Sequence, residues 1–298
     1  MPAQSFPISY IEPVFRPPSE AHSLILPVTN GCSWNQCTFC EMYTDEQKKF
    51  RARDEKQVLD EIRRSGEQLI VQRVFLADGD AMVLPTRRLL TILDAIREHM
   101  PSVERVTSYC LPRNLKRKSV EELKELREAG LAMLYVGAES GDDQVLERVN
   151  KGETYDSTEE ALTKAGDAGI MRSVMILNGL GGRSLSEQHG RNSARLMNAT
   201  QPEFVSTLVV SFPQGMERYR ERFPDFEPLD QQSLFLELQQ FIEALELKDT
   251  VFRSDHASNA LVLKGILGAD KERILAQVQT AIERPERARL RPEWMRGL

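Results

Sequence analysis

The sequence predicts an α/β fold built on a parallel sheet. Short apolar runs recur from residue 23 to residue 212, and an amphipathic helix pattern follows most of them. The connections are also long enough for right-handed crossovers, so the sheet forms a full or partial (β/α) barrel or a doubly wound layer. In either case, sites form where strands end and loops lead into helices.

Residues 1–23 are proline-rich and aperiodic, and read as an extended arm lying on the domain. The strands are expected in "SLILPVT" (23–29), "RVFLADG" (73–79), "VERVTSY" (103–109), "LAMLYVG" (131–137), "RSVMILNG" (172–179) and "EFVSTLVVSF" (203–212). Between them, Val58, Leu59 and Ile62 share one helix face, as do Leu89, Ile92, Leu93 and Ile96. Val120, Leu123 and Leu126 form a third face before a stop at Gly130. Beyond residue 213 the pattern changes to helix, strand with polar loop, and helix, which reads as an appended region. Its end, "RPERARLRPEWMRGL", carries five arginines against two glutamates and is expected to be a solvated tail pinned by Trp294, with an RNA or anion contact as the alternative.

The 298 residues carry 39 basic and 45 acidic side chains, a net charge of −6, so bulk charge supplies no reason to expect nucleic acid or anionic membrane as the main partner. No apolar run approaches the roughly 20 residues that span a bilayer, and the N-terminal stretch lacks the basic and apolar segments of a signal peptide. A cytoplasmic location without membrane contact is the expectation.

Three of the four cysteines, Cys32, Cys37 and Cys40, fall in "TNGCSWNQCTFCEMY", directly after the first apolar run. Such a cluster does not make a disulfide framework and points to metal. Structural zinc takes four ligands, usually from two paired motifs, and no second pair exists here. Three thiolates suit an iron–sulfur cluster with one iron left open.

With Phe39 just before the last cysteine, this loop resembles the signature of the radical S-adenosylmethionine superfamily, although its C-x4-C-x2-C spacing has one residue more than the usual C-x3-C-x2-C. Further segments support the resemblance: "ADGDA" (77–81), "YVGAESGDDQVLERVNKG" (135–152) and "MILNGLGG" (175–182) resemble motifs of the coproporphyrinogen-oxidase-like and methylthiotransferase-like branches. The resemblance implies a partial (β/α)6 TIM-type barrel over residues 24–212, with residues 213–298 as a C-terminal α/β extension capping it. It also implies a [4Fe–4S] cluster on Cys32, Cys37 and Cys40, with S-adenosylmethionine chelating the open iron. Gly79 would allow close approach, Asp80 would accept from the cofactor's amino group, Glu139 would bind its ribose and Lys151 would face its carboxylate. Leu177 would pack on the adenine with Gly179 making room, while Met175 stands where the branch often has an acid.

The expected reaction is reductive cleavage of S-adenosylmethionine to a 5′-deoxyadenosyl radical that takes hydrogen from a substrate, which is a small molecule, a peptide or an RNA nucleoside. A flavodoxin or ferredoxin would supply the electron. Ser140 with Asp143 also reads as a helix cap, but capping leaves Glu139 unexplained at the end of a buried strand. The alternatives are a non-catalytic haem or iron–sulfur carrier with the same core, and a zinc-stabilised RNA-binding module. Too few cysteines remain for an auxiliary cluster. The catalytic candidates outside the motifs are Cys110, which otherwise reads as a small buried residue, and His256 in the polar loop "FRSDHASN" (252–259). Arg51 and Arg53 read as an anion contact or as a solvated helix start.

Overall fold

The computed structural model describes residues 6–296; residues 1–5 of the N-terminal arm and Gly297 and Leu298 of the tail lie outside the described residues. Eight strands form one mainly parallel sheet: β1 (Leu24–Pro27), β2 (Arg73–Ala77), β3 (Arg105–Cys110), β4 (Leu131–Glu139), β5 (Met171–Asn178), β6 (Phe204–Val209), β7 (Val251–Ser254) and β8 (Leu263–Ile266). Their order in the sheet is their order in the chain. The longer helices are α1 (Glu55–Gln68), α2 (Thr86–His99), α3 (Val120–Glu128), α4 (Tyr155–Asp167), α5 (Gly182–Thr200), α6 (Gln231–Ala244) and α7 (Lys271–Glu283). This is the expected strand–helix alternation of a partial TIM-type barrel, with one addition. The appended region supplies β7, parallel to β6, and β8, antiparallel to β7.

The chain divides into two compact units, and the division falls within β4 and α4. The first comprises Met1–Asn35, Met42–Tyr135 and Lys164–Met171. Here β1, β2 and β3 pair in parallel register, Leu26 with Leu76 and Val74 with Val106. Asp54 caps α1 by accepting from the Gln57 N–H, and Ser119 and Glu122 close a reciprocal capping box on α3. α1 packs on α2, and Val58, Ile62, Leu89, Ile92, Leu93 and Ile96 are buried. The arm is tied down by polar contacts: Ser9 donates to Glu61, Lys48 Nζ to the Ile11 carbonyl (2.6 Å), and Tyr135 Oη to Glu20 (2.5 Å). Arg53 is neither an anion contact nor solvated. It forms a two-pronged pair with the fully buried Glu61 at 2.8 and 2.9 Å, a geometry that satisfies both charges.

The second unit comprises Gln36–Glu41, Val136–Thr163 and Arg172–Leu298. β5, β6 and β7 run parallel, α6 packs against α5, and α7 packs against α6. An aromatic cluster of Tyr219, Phe223 and Phe226 joins Val145, Val149, Leu177, Leu180 and Leu185. The tail is not pinned by Trp294, which is 84 % exposed. Arg291 holds it instead, through its N–H to the Ala260 carbonyl (2.8 Å) and its guanidinium to the carbonyls of Asp255 and His256.

Candidate functional site

In the first unit, Cys32 follows the short ribbon in which Thr29–Asn30 pairs with Arg51–Ala52. Gly31 (φ +69°) and Gly79 (φ +50°) are both left-handed. A Cβ on Gly31 would lie 1.9 Å from the Lys48 carbonyl oxygen, and one on Gly79 would lie 2.1 Å from the Gly31 carbonyl oxygen. Only glycine permits this approach of the β2 turn to the cysteine loop. The next residue, Asp80, is fully buried. Its Oδ1 accepts from the Ser33 N–H (3.1 Å), and its Oδ2 accepts from the Ser33 hydroxyl and the Asn114 amide (3.2 Å). Burial pushes its carboxyl up to about 6, outweighing those hydrogen bonds. Behind the turn, Asp78 pairs with the buried Lys48 (2.6 Å), and the Gly79 N–H donates to the Tyr43 hydroxyl (3.0 Å).

Three of the four residues between the first two cysteines have distinct anchors. Ser33 binds Asp80, and the Arg113 guanidinium lies 3.9 Å above the Trp34 ring. Asn35 takes φ +44° and donates to the Tyr43 carbonyl (2.8 Å). The left-handed Asn35, a residue type that tolerates this region, turns the chain between Cys32 and Cys37.

In the second unit, the Cys40 N–H donates to the Cys37 carbonyl (3.2 Å), closing a tight turn, and Arg218 Nη1 holds the Cys40 carbonyl at 2.7 Å. Phe39 packs on the aromatic cluster that contains Leu177, so these two residues share one apolar surface. Glu139 ends β4 at φ +67° and is 5 % exposed. Its Oε1 accepts from Lys151 Nζ (3.1 Å), whereas its Oε2 is buried with no hydrogen-bond partner. Gly137 makes room for it, because a Cβ there would lie 2.1 Å from Oε1. Lys151 Nζ also stands 6.0 Å from the Phe39 ring centroid.

Past β5, the Gly179 N–H (φ +84°) donates to Glu237 Oε1 at 2.6 Å, and the Ser186 hydroxyl donates to Glu237 Oε2 at 2.6 Å. His189 Nε2 donates to the Leu177 carbonyl (3.0 Å), which leaves Nδ1 to meet the Ser140 hydroxyl (2.8 Å). Asn114, Gly137, His189 and Glu237 escape the sequence reading. Each acts through a partner distant in the chain, save Gly137, whose position two residues before Glu139 is the one local signal.

Cys110 closes β3, buried, with its thiol donating to the Leu111 carbonyl (3.2 Å). His256 is half-buried, and its Nδ1 accepts from the Ser258 N–H (3.2 Å). Burial, then the nearby Arg291, lowers its pKa.

The donor set fits the expected groups: three cysteines on one loop suit a cluster with an open iron, and the orphaned Glu139 Oε2 calls for a hydroxyl or amino donor. Among the described residues, no three His, Cys, Asp or Glu side chains gather closely enough for a single metal ion. A cluster makes a different demand, since each thiolate binds its own iron.

A family model described as the Radical SAM superfamily matches residues 26–194, more than half of the chain. The chain is 27 % identical over 165 residues to 4′-phospho-dehydrooxetanocin synthase of Priestia megaterium, covering 50 % of this chain and 22 % of that protein. It is 24 % identical over 178 residues to heme chaperone HemW of Bacillus subtilis (strain 168), covering 58 % and 47 %. Thus it spans less than half the length of either relative. Coproporphyrinogen III oxidase (HemN) from Escherichia coli, described as a radical SAM enzyme, has a similar fold: TM-score 0.57 and 16 % identity, covering 74 % of this chain and 51 % of that one.

Proposed function

Because the chain belongs to the radical SAM superfamily, we propose that Cys32, Cys37 and Cys40 hold a [4Fe–4S] cluster whose open iron binds S-adenosylmethionine. When bound, these groups supply one-electron cleavage of the sulfonium to methionine and a 5′-deoxyadenosyl radical that takes hydrogen from the substrate. The observation that carries this reading is Glu139: a buried carboxylate in a left-handed conformation, with one oxygen unpartnered, beside Lys151.

This chain's residues then have definite tasks. Glu139 Oε2 accepts a ribose hydroxyl, and Lys151, bonded to Oε1, presents positive charge to the cofactor's carboxylate. Asp80 holds Ser33, next to Cys32, and has acceptor capacity left for the cofactor's amino group, since a carboxylate takes about four hydrogen bonds and three are used. Leu177 and Phe39 offer an apolar surface to the adenine and shield it from water. Glu237 fixes the Gly179 turn, and Cys110 and His256 remain candidates for hydrogen or proton transfer to the substrate. The electron comes from a flavodoxin- or ferredoxin-type donor.

Anaerobic reconstitution, reduction with dithionite and assay for 5′-deoxyadenosine test this function. Product that depends on all three cysteines supports it; one zinc and no iron after anaerobic purification refutes it. A second reading, a haem or cluster carrier, draws on the similarity to heme chaperone HemW. It predicts stoichiometric haem binding with little deoxyadenosine. The zinc-stabilised RNA-binding reading is displaced by the family match, which covers the cysteine loop.

A further inference from the structure

We propose that His189 is a positioning residue for the nucleoside end of S-adenosylmethionine: its imidazole ties the turn after Glu139 to the Leu177 carbonyl and fixes the span between them. That role rests on the function proposed above; the tie itself does not. His189 lies on α5 and is 1 % exposed. Its Nδ1 meets the Ser140 hydroxyl at 2.8 Å, next to Glu139, and its Nε2 meets the Leu177 carbonyl at 3.0 Å. One rigid ring therefore touches both segments, the one that takes the ribose and the one that takes the adenine.

Hydrogen bonding places the proton on this ring. Two acceptors face Nε2, the Leu177 carbonyl and, at 3.9 Å, Glu237 Oε1, so this nitrogen carries the hydrogen. Nδ1 is then an acceptor, which suits the fully buried Ser140: its oxygen already accepts from the Asp142 N–H (3.0 Å), and its one proton is left for the ring. An imidazole with both nitrogens engaged can be buried at little cost, whereas leucine at this helix position would leave the serine hydroxyl without its acceptor.

The surrounding bonds define what His189 adds. α5 grips the turn by other contacts as well: Ser193 Oγ accepts from the Gly141 N–H (2.9 Å), and Asn192 Nδ2 donates to Asp142 Oδ2 (2.6 Å). The approach is close, since a Cβ on Gly141 would lie 2.3 Å from the Asn192 carbonyl oxygen. The Leu177 carbonyl also accepts from the Leu180 N–H (3.3 Å), a bond within its own turn. His189 joins these two local arrangements. Each has something to position. Glu139 is held left-handed, a conformation that persists when its surroundings over-determine it, and Leu177 packs beside Phe39 on the apolar surface. A change of about 1 Å in the span would take the carboxylate and the apolar surface out of simultaneous reach of one nucleoside.

The test uses the full chain. In cofactor-free protein labelled at the histidine ring nitrogens, NMR should show His189 protonated at Nε2 and bare at Nδ1; the opposite tautomer overturns the tie. In the anaerobically reconstituted protein, equilibrium dialysis should show S-adenosylmethionine binding about tenfold weaker in His189→Leu, with iron content unchanged. His189→Asn, which keeps an acceptor for Ser140 and drops the donor to Leu177, should lose about threefold or more, and it carries the test if the leucine variant does not fold. In a Glu139→Gln background the same substitution should cost much less, because both changes act through one contact. Equal losses in the two backgrounds would mark a merely structural histidine. That result, or wild-type affinity in the folded variants, overturns the role and spares the function. A wild type that fails to bind S-adenosylmethionine sinks the function and the role together.

Discussion

Glu139 shows how one residue can carry a functional reading. A left-handed glutamate costs about 1–3 kcal/mol, and its unpartnered buried oxygen adds a desolvation cost. Lys151 meets only one of its two oxygens, and the proposed ribose contact would offset these costs. Glu139→Gln retains the shape and removes the charge; equilibrium dialysis on the reconstituted protein should show S-adenosylmethionine affinity falling about tenfold or more, with iron content unchanged. Gly137→Ala should have a similar effect by a different cause, because its Cβ would displace Oε1. Unchanged affinity in both variants would remove Glu139 from the cofactor site. Glu139 was legible in the sequence because an acid ending an apolar strand is anomalous, whereas Gly137 looked like an ordinary strand glycine.

At the scale of elements, the strands and helices were legible because their signals are local: apolar runs, the Asp54 and Ser119 caps, and the Gly130 stop. Contacts across the chain were not. Glu237 sits in "SLFLELQQ" as an acid indistinguishable from a surface residue, yet it is buried and anchors the turn after β5. Glu237→Ala would leave the buried Gly179 N–H and the partly buried Ser186 hydroxyl without this partner, and urea unfolding should register a loss of about 1–3 kcal/mol. A loss below about 0.5 kcal/mol, the scale of an ordinary surface substitution, would mean that water replaces the carboxylate. Arg53 was misread for the same reason: its partner Glu61 lies two turns along α1, on the face turned toward the arm. The left-handed turn at Asn35, between Cys32 and Cys37, was likewise not legible in the spacing.

For the molecule as a whole, acid stability should depend on the pair that joins β5 to the start of β6. Burial opposes ionisation of Glu203, but hydrogen bonds from Arg172 outweigh it and hold the carboxyl below its ordinary 4.5. A depressed folded-state pKa contributes stability that is present above the unfolded value and lost as pH falls through the folded one. Glu203→Gln should therefore flatten the decline in unfolding free energy as pH falls below 4.5, and an unchanged slope would show that Glu203 does not contribute to it. The substrate was not legible, because substrate contacts come from variable loops on a common barrel. The arginine-rich tail illustrates the point: its composition suggested a solvated face, but Arg291 and Arg296 turn inward.

The central claim is that the cysteine loop supports reductive cleavage of S-adenosylmethionine. Its most direct test compares wild type with Cys32→Ala, Cys37→Ala and Cys40→Ala, each reconstituted anaerobically and reduced with dithionite, by measuring 5′-deoxyadenosine. The wild type should form it, and each variant should lose both the full cluster and the product. A variant that kept a full cluster and wild-type cleavage would contradict the assignment of the loop.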